Sequence, residues 1–280
     1  MSAEEQTRFL QELAEDLNSK NIELPSFPDV VINIRTALED PSCSSERLAD
    51  VVRTDPVLVA RLLMSANSAF HNRAGIEITD LNLAISRLGF EVVRNTAITL
   101  AMEQIFSASQ HKELNYAVGE IWSNSLSLAS MSFVIARNSG RVNPDNAFLC
   151  GLLHEIGKLY ILTKAQDFPA LMGDAESLET VMQQWYSSVG RSIVEAWGFS
   201  TEIADSLEVD EHLTDDTGAA ASLVDVLFLA REVLADAENE ALADACEGPA
   251  TRLKIKAELL PAIHEEHGLH SASMRQSVGA

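Results

Sequence analysis

An all-α fold follows from three features of this sequence. Apolar residues recur at helical spacing, the pairs Asp55-Pro56 and Asn143-Pro144 join a capping side chain to a helix-starting proline, and no apolar/polar alternation lasts long enough for a strand. At 280 residues the chain suffices for one large domain or two intimate ones, with a core that needs no covalent staples.

The opening helix places Phe9, Leu10, Leu13 and Leu17 on one face and Glu12, Glu15 and Asp16 on the other. Leu24-Pro25-Ser26-Phe27-Pro28 interrupts it, because prolines cannot propagate a helix. A second helix is predicted over about 29–38, ending before Asp40-Pro41. Ser44 suits the N-cap of a short helix that ends near Arg53. Asp55 caps the next, and Pro56 loses only an N–H that has no partner in a first turn. That helix carries Val57, Leu58, Leu62 and Leu63 and ends near Asn67. Residues 69–78, with Gly75, read as a loop. Thr79 is the predicted cap of a helix over 80–88, and Gly89 marks a break before another over 90–106.

A long helix is predicted from about 113 to 138, closed by Gly140. Its middle, 123–132, is rich in Ser and Ala; small residues let helices approach closely, so a central position is expected. Asn143-Pro144 opens a helix through Leu149, Leu152 and Leu153 to Glu155, and Gly157 is expected to end it. Later helices are predicted over 178–197, 201–207, 219–237 and 251–267. Pro261 is expected to bend or interrupt the last, and the small polar tail from Gly268 to fray.

Composition excludes several roles. The net charge of −22 repels polyanions, and Arg53, Arg61, Arg87 and Arg94 are spaced by apolar residues and form no basic patch. Nucleic acid and anionic membrane surfaces are therefore not expected as partners. Cys43, Cys150 and Cys246 are odd in number and widely spaced, unlike a disulfide framework or zinc cluster; Cys150 reads as a buried small hydrophobe. The uncharged stretch Ile121 to Ala136 falls short of the ~20 apolar residues of a membrane span. The acidic opening Met1-Ser2-Ala3-Glu4-Glu5 does not fit a signal peptide, and a cytoplasmic location is expected. Met64, Met102, Met131, Met172 and Met182 read as core filler, and Trp122, Trp185 and Trp197 as core aromatics.

The sharpest chemical signal is His154-Glu155-Ile156-Gly157-Lys158. Imidazole and carboxylate are metal ligands and a lysine can hold phosphate. The same residues also suit a polar helix terminus, where cations meet the last carbonyls. His264, His267 and His270 recur every third residue; they read as a polar helix end more readily than as a metal site.

The stretch from Asn146 through Gly151-Leu152-Leu153-His154-Glu155-Ile156-Gly157-Lys158-Leu159 is similar to the "GLLHDIGK" motif of the HD superfamily. Leu24 to Pro28, the run Asp55 to Phe70 with Ser65-Ala66-Asn67-Ser68-Ala69, and Ala84-Ile85 with Leu88-Gly89 resemble, in order, three further segments of its HDOD subgroup. The resemblance covers about 20–235. It implies an HD-like multi-helix bundle over 111–215, an N-terminal helical lobe over 1–110, and C-terminal helices and tail over 216–280.

HD enzymes hold metal on histidines and aspartates from several helices. By resemblance the first histidine position is Asn124, the His-Asp pair is His154-Glu155, and a later histidine is Tyr186. A histidine pair falls near Asp210 and Glu211 with His212 one step out of register, and the closing aspartate is Arg231. Asn is a poor transition-metal ligand, neutral Tyr a weak one, and Arg brings a fixed cation to a cation's site. The resemblance therefore implies a non-catalytic output or scaffold domain that binds a signalling partner or ligand and takes no cofactor. Expected contact surfaces are the groove between lobe and bundle, the pocket around His154 and the loop 67–78. No receiver, cyclase or GGDEF-type segment is visible, so input is expected in trans or through this chain itself. The alternative is a phosphohydrolase acting on nucleotides or phosphodiesters with a divalent Mn, Mg or Fe, using His154, Glu155 and Lys158 with Asp210, Glu211 or His212.

Overall fold

The computed structural model describes residues 3–19, 28–107, 114–213, 216, 218–235 and 247–278; all regular structure among them is helical. The first six helices are α1 (Ala3–Ser19), α2 (Asp29–Leu38), α3 (Ser45–Val52), α4 (Pro56–Asn67), α5 (Leu81–Leu88) and α6 (Phe90–Ser107). The middle of the chain forms α7 (Asn115–Ser139), α8 (Pro144–Leu153), α9 (Ile156–Ala165), α10 (Pro169–Met172), α11 (Ala175–Ala196), α12 (Thr201–Ser206) and α13 (Val209–His212). The C-terminal part adds α14 (Leu223–Ala235), α15 (Glu247–Leu253), a 3₁₀ turn (Ala257–Leu259) and α16 (Leu260–Val278).

Local chemistry explains where these helices begin. The Asp55 carboxylate accepts the N–H groups of Val57 and Leu58 at 2.9 and 3.1 Å, and Asn143 does the same for Asp145 and Asn146 at 2.8 and 3.1 Å. Ser44 accepts from Arg47 N–H at 3.2 Å. The cap of α5 is Asp80 and not Thr79: the Asp80 carboxylate accepts Leu83 N–H at 2.8 Å. Gly140 closes α7 in the left-handed region at φ 61°, which glycine enters without strain.

The helix α7 lies at the centre, against α6, α8, α9, α14 and α16. Its small residues allow the contact with α8: a Cβ on Gly151 would come within 2.6 Å of the Ala129 backbone. Gly157 does not end a helix. It sits inside α9, where a Cβ would lie 1.9 Å from the Tyr186 carbonyl oxygen of α11. The sequence pattern misses both α9 and α10.

Two polar clamps join distant parts. Arg35 of α2 donates to the carbonyls of Trp197 and Gly198, at 2.6 and 2.7 Å, where α11 ends. Tyr160 and Lys164 of α9 both donate to Asp16 of α1, at 2.6 and 2.5 Å, and Phe9 meets Phe168 edge-on at 5.1 Å. The helix α1 therefore docks on α9 and α10.

The C-terminal expectation needs revision. The helix expected over 219–237 starts at Leu223, and the one expected over 251–267 is two helices. The first, α15, is held to α14 by a buried bidentate pair of Arg252 and Asp225 and closes with Lys254 at φ 56°. Pro261 stands in the first turn of α16, where its missing N–H needs no acceptor, and so begins a helix instead of bending one. Gly268 lies inside α16, and the tail stays helical to Val278 because α16 packs on α7, α4 and α6. Met64 is exposed, not core filler; Met102 and Met131 are buried, and the three Trp residues pack partly buried against the core. Cys150 is buried, and desolvation raises its thiol pKa to about 12. Leu24 to Phe27, Cys246 and the expected start of the long helix at 113 lie outside the described residues.

Glycine substitutions separate close approach from mere helix content. Gly157→Ala is expected to destabilise the fold by about 3 kcal/mol or more, since backbone must move to admit the methyl. Gly119→Ala, in α7 with nothing within 4 Å of the added Cβ, should instead stabilise by about 0.5–1 kcal/mol. Denaturant unfolding of the two variants checks both signs.

Candidate functional site

The chain turns sharply between α8 and α9. Leu153 ends the first and Ile156 begins the second, so His154 and Glu155 occupy the corner. Glu155 adopts φ −97°, ψ 9° and its carbonyl accepts Lys158 N–H at 3.0 Å. The Gly157 contact with α11 fixes this corner against Tyr186.

His154 is buried, with its ring edge-on to Tyr186 at 5.5 Å between centroids. Its Nδ1 has no partner among the described residues, and the same holds for Oε2 of Glu155. The other carboxylate oxygen, Oε1, accepts from Lys158 Nζ at 2.6 Å, and that ammonium also lies 5.1 Å from the Tyr186 ring centre. Burial, then the charges of Arg231 and Lys158, lower the His154 pKa to about 3. The imidazole is therefore neutral at physiological pH.

The structure thus brings together His154, Glu155, Lys158 and Tyr186, with Arg231 close enough for its charge to act on the imidazole. Other expected members are elsewhere. Asn124 is exposed on α7. His212 is more than one-third exposed, 3.8 Å from Glu208, which in turn binds Arg191 at 2.7 Å; Arg191 also pairs with Asp205 at 2.7 Å. Asp210 and Glu211 lie in α13, and their side chains fall outside the described residues.

Two ligand-type side chains, His154 and Glu155, are described at this corner. No group of three or more His, Cys, Asp and Glu that could hold an ion occurs among the described residues. Catalytic zinc-type sites use about three protein ligands, and here two cations stand beside the two candidate donors.

Sequence reasoning misses a second polar site. Arg61, His71, Asn95, Asp145 and His270 line a cavity at the opposite end of α8 from His154. Nothing local announces it, since its members come from α4, the loop after it, α6, α8 and α16. The loop 67–78 is stapled at its base: Asn67 accepts Ile78 N–H at 2.8 Å and donates to the Ile78 carbonyl at 2.7 Å. Phe70 of the same loop meets His270 at 4.8 Å. His264, His267 and His270 do not form a helix end; they lie within α16, and Ser130 Oγ of α7 bonds His270 Nδ1 at 2.9 Å.

Comparison with known proteins places this geometry in context. The HDOD domain profile matches residues 24–213. A Shewanella amazonensis protein, provisionally named a metal-dependent phosphohydrolase, shares 23% identity; the likeness covers 96% of this chain and 99% of that one, with a TM-score of 0.81. An HDOD domain protein of unknown function from Geobacter sulfurreducens shares 22% identity over 97% of this chain and 99% of its own, with a TM-score of 0.67. An uncharacterized protein of Treponema pallidum is 18% identical over 213 residues, 72% of this chain; the chain spans 40% of that relative's length. No described helix is long and apolar enough to cross a membrane.

The neutral His154 has a pH signature. Its folded pKa, about 3, lies below the ordinary histidine value of 6.5. The unfolded chain takes up a proton first as pH falls, so stability is full above about 6.5 and declines from there toward 3. His71 and His270, lowered to about 4 and about 3, act in the same direction. In denaturant titrations across this window, His154→Leu is expected to show a slope smaller by about one proton than the parent.

Proposed function

The chain belongs to the HDOD domain family, and from that premise we propose that it is a non-catalytic output or scaffold domain of signal transduction that binds a regulatory partner or ligand. One observation carries the reading: the corner most like an HD metal site holds two donors and two cations. Lys158 occupies one oxygen of Glu155 and the charge of Arg231 acts on His154. Such a corner is packed, and its carboxylate is already met by a lysine. Among the described residues it has no open acidic ligand set of the kind that polarises phosphate and activates water. The partner is a signalling protein in the cytoplasm; a chain of charge −22 selects against nucleic acid and anionic lipid.

A metal-dependent phosphohydrolase is the second reading. It is favoured by His154 Nδ1 and Glu155 Oε2, two buried ligand-type atoms on adjacent residues with no partner among the described residues. His154 and Glu155 would be the donors, with Lys158 on the substrate phosphate.

Metal binding and turnover separate the two. The protein, incubated with manganese, magnesium or iron and then desalted, is expected to retain less than one ion per chain. It should not hydrolyse nucleotides or a model phosphodiester. A double variant, Lys158→Met with Arg231→Met, should bind manganese about tenfold or more tighter, since one nearby charge shifts an ionisation by about that factor. One retained ion per chain that His154→Ala abolishes, together with turnover, would establish the hydrolase instead.

A further inference from the structure

The cavity at the far end of α8 has the features of a ligand site. Its volume is about 70 Å³, and its walls come from α4, α6, α7, α8 and α16. Asp145 in its wall stands nine positions before His154, a rise of about 14 Å along α8.

Most polar groups in the wall are already engaged. The hydroxyls of Thr96 and Thr99 donate to the carbonyls of Val92 and Asn95, and the Asn95 amide donates to the Asp145 carboxylate at 3.1 Å. The Nδ1 of His270 bonds Ser130, and its ring stacks on Phe133 at 4.5 Å with planes 4° apart. Arg61 is different. Its Nη2 pairs with Glu103 at 2.5 Å, but its Nη1 is buried with no acceptor among the described residues. A buried guanidinium N–H without an acceptor is an unmet demand for an anion or a strong dipole.

The rest of the wall sets the size and character of that acceptor. Val92, Phe133, Phe148 and Met274 are apolar. Benzene occupies a cavity of about 150 Å³, so this one admits a shorter chain. One unpartnered guanidinium nitrogen, in a chain of net charge −22, suits a singly charged group and not a phosphate dianion. Asp145 also lines the cavity, and its carboxylate accepts from the Asn95 amide.

We propose that this cavity binds a short-chain monocarboxylate, its carboxylate on Arg61 Nη1 and its alkyl tail against Val92, Phe133, Phe148 and Met274. The proposal goes beyond the signalling reading and is independent of whether His154 holds an ion. Three parts of the chain meet around the ligand: α4 and α6, the α7–α8 pair, and the C-terminal helix α16.

The test uses butyrate and butyramide, which share a shape and differ in charge, at matched ionic strength on the full chain. Calorimetry is expected to give saturable butyrate binding with a dissociation constant of about 1 mM or tighter, and butyramide at least about tenfold weaker. Arg61→Gln should weaken butyrate at least about tenfold. Met274→Trp should block binding by filling the cavity while Arg61 stays in place. Equal effects of butyrate and butyramide, or butyrate binding that survives Met274→Trp, would overturn the proposal. Should Arg61→Gln fail to fold, Met274→Trp and the butyramide comparison still decide it.

Discussion

The backbone of α8 rests on that of α7 at Gly151, and α9 rests on α11 at Gly157. At neither place is there room for even a methyl group. Packed backbones of this kind do not slide, because interiors at crystal-like density yield only by moving whole elements. These contacts hold the two helices that flank His154 and Glu155, so the corner has a fixed shape. The neutral imidazole, the Lys158–Glu155 pair and the Tyr186 ring above them all follow from that shape.

Features fixed within a few residues are legible in the sequence. Asp55, Asn143 and Ser44 cap their helices because each partner N–H lies two or three positions on. The Ser- and Ala-rich middle of α7 correctly marks the central helix, since small side chains have one evident use in a helix interior. Gly157 is not legible in this way. Glycine after an apolar run ordinarily ends a helix, and the reason it does not here is the Tyr186 carbonyl in another helix. Pro261 and Gly268 mislead likewise: local propensity argues for an end, and packing of α16 on α7 overrides it.

The same divide runs through the candidate site. His154, Glu155 and Lys158 are adjacent in sequence and meet in space, so the motif finds them. Their electrostatic setting depends on Arg231 from α14 and Tyr186 from α11, which only family resemblance could align. Asn124, which the same resemblance aligns with a metal-ligand position, is exposed on α7. The residues around Arg61 could not be found at all, since neither periodicity nor motif links Arg61 of α4 with Asp145 of α8 and His270 of α16.

The helix α16 is where these strands of argument meet. Alone it has little to hold it: its inward face carries histidines, not a continuous apolar stripe. Burial lowers the pKa of His270 to about 3 and that of His267 below its ordinary value, so His270 lies neutral on the serine face of α7 with no buried cation to satisfy. A lysine or arginine there would bring a charge too costly to bury unpaired. Phe70 and Phe133 then close around His270, which ties the loop after α4 to α7 through a residue of the C-terminal helix. The last helix is therefore part of the core of the N-terminal half. A change in how it docks would reach both the loop 67–78 and the cavity beside Arg61.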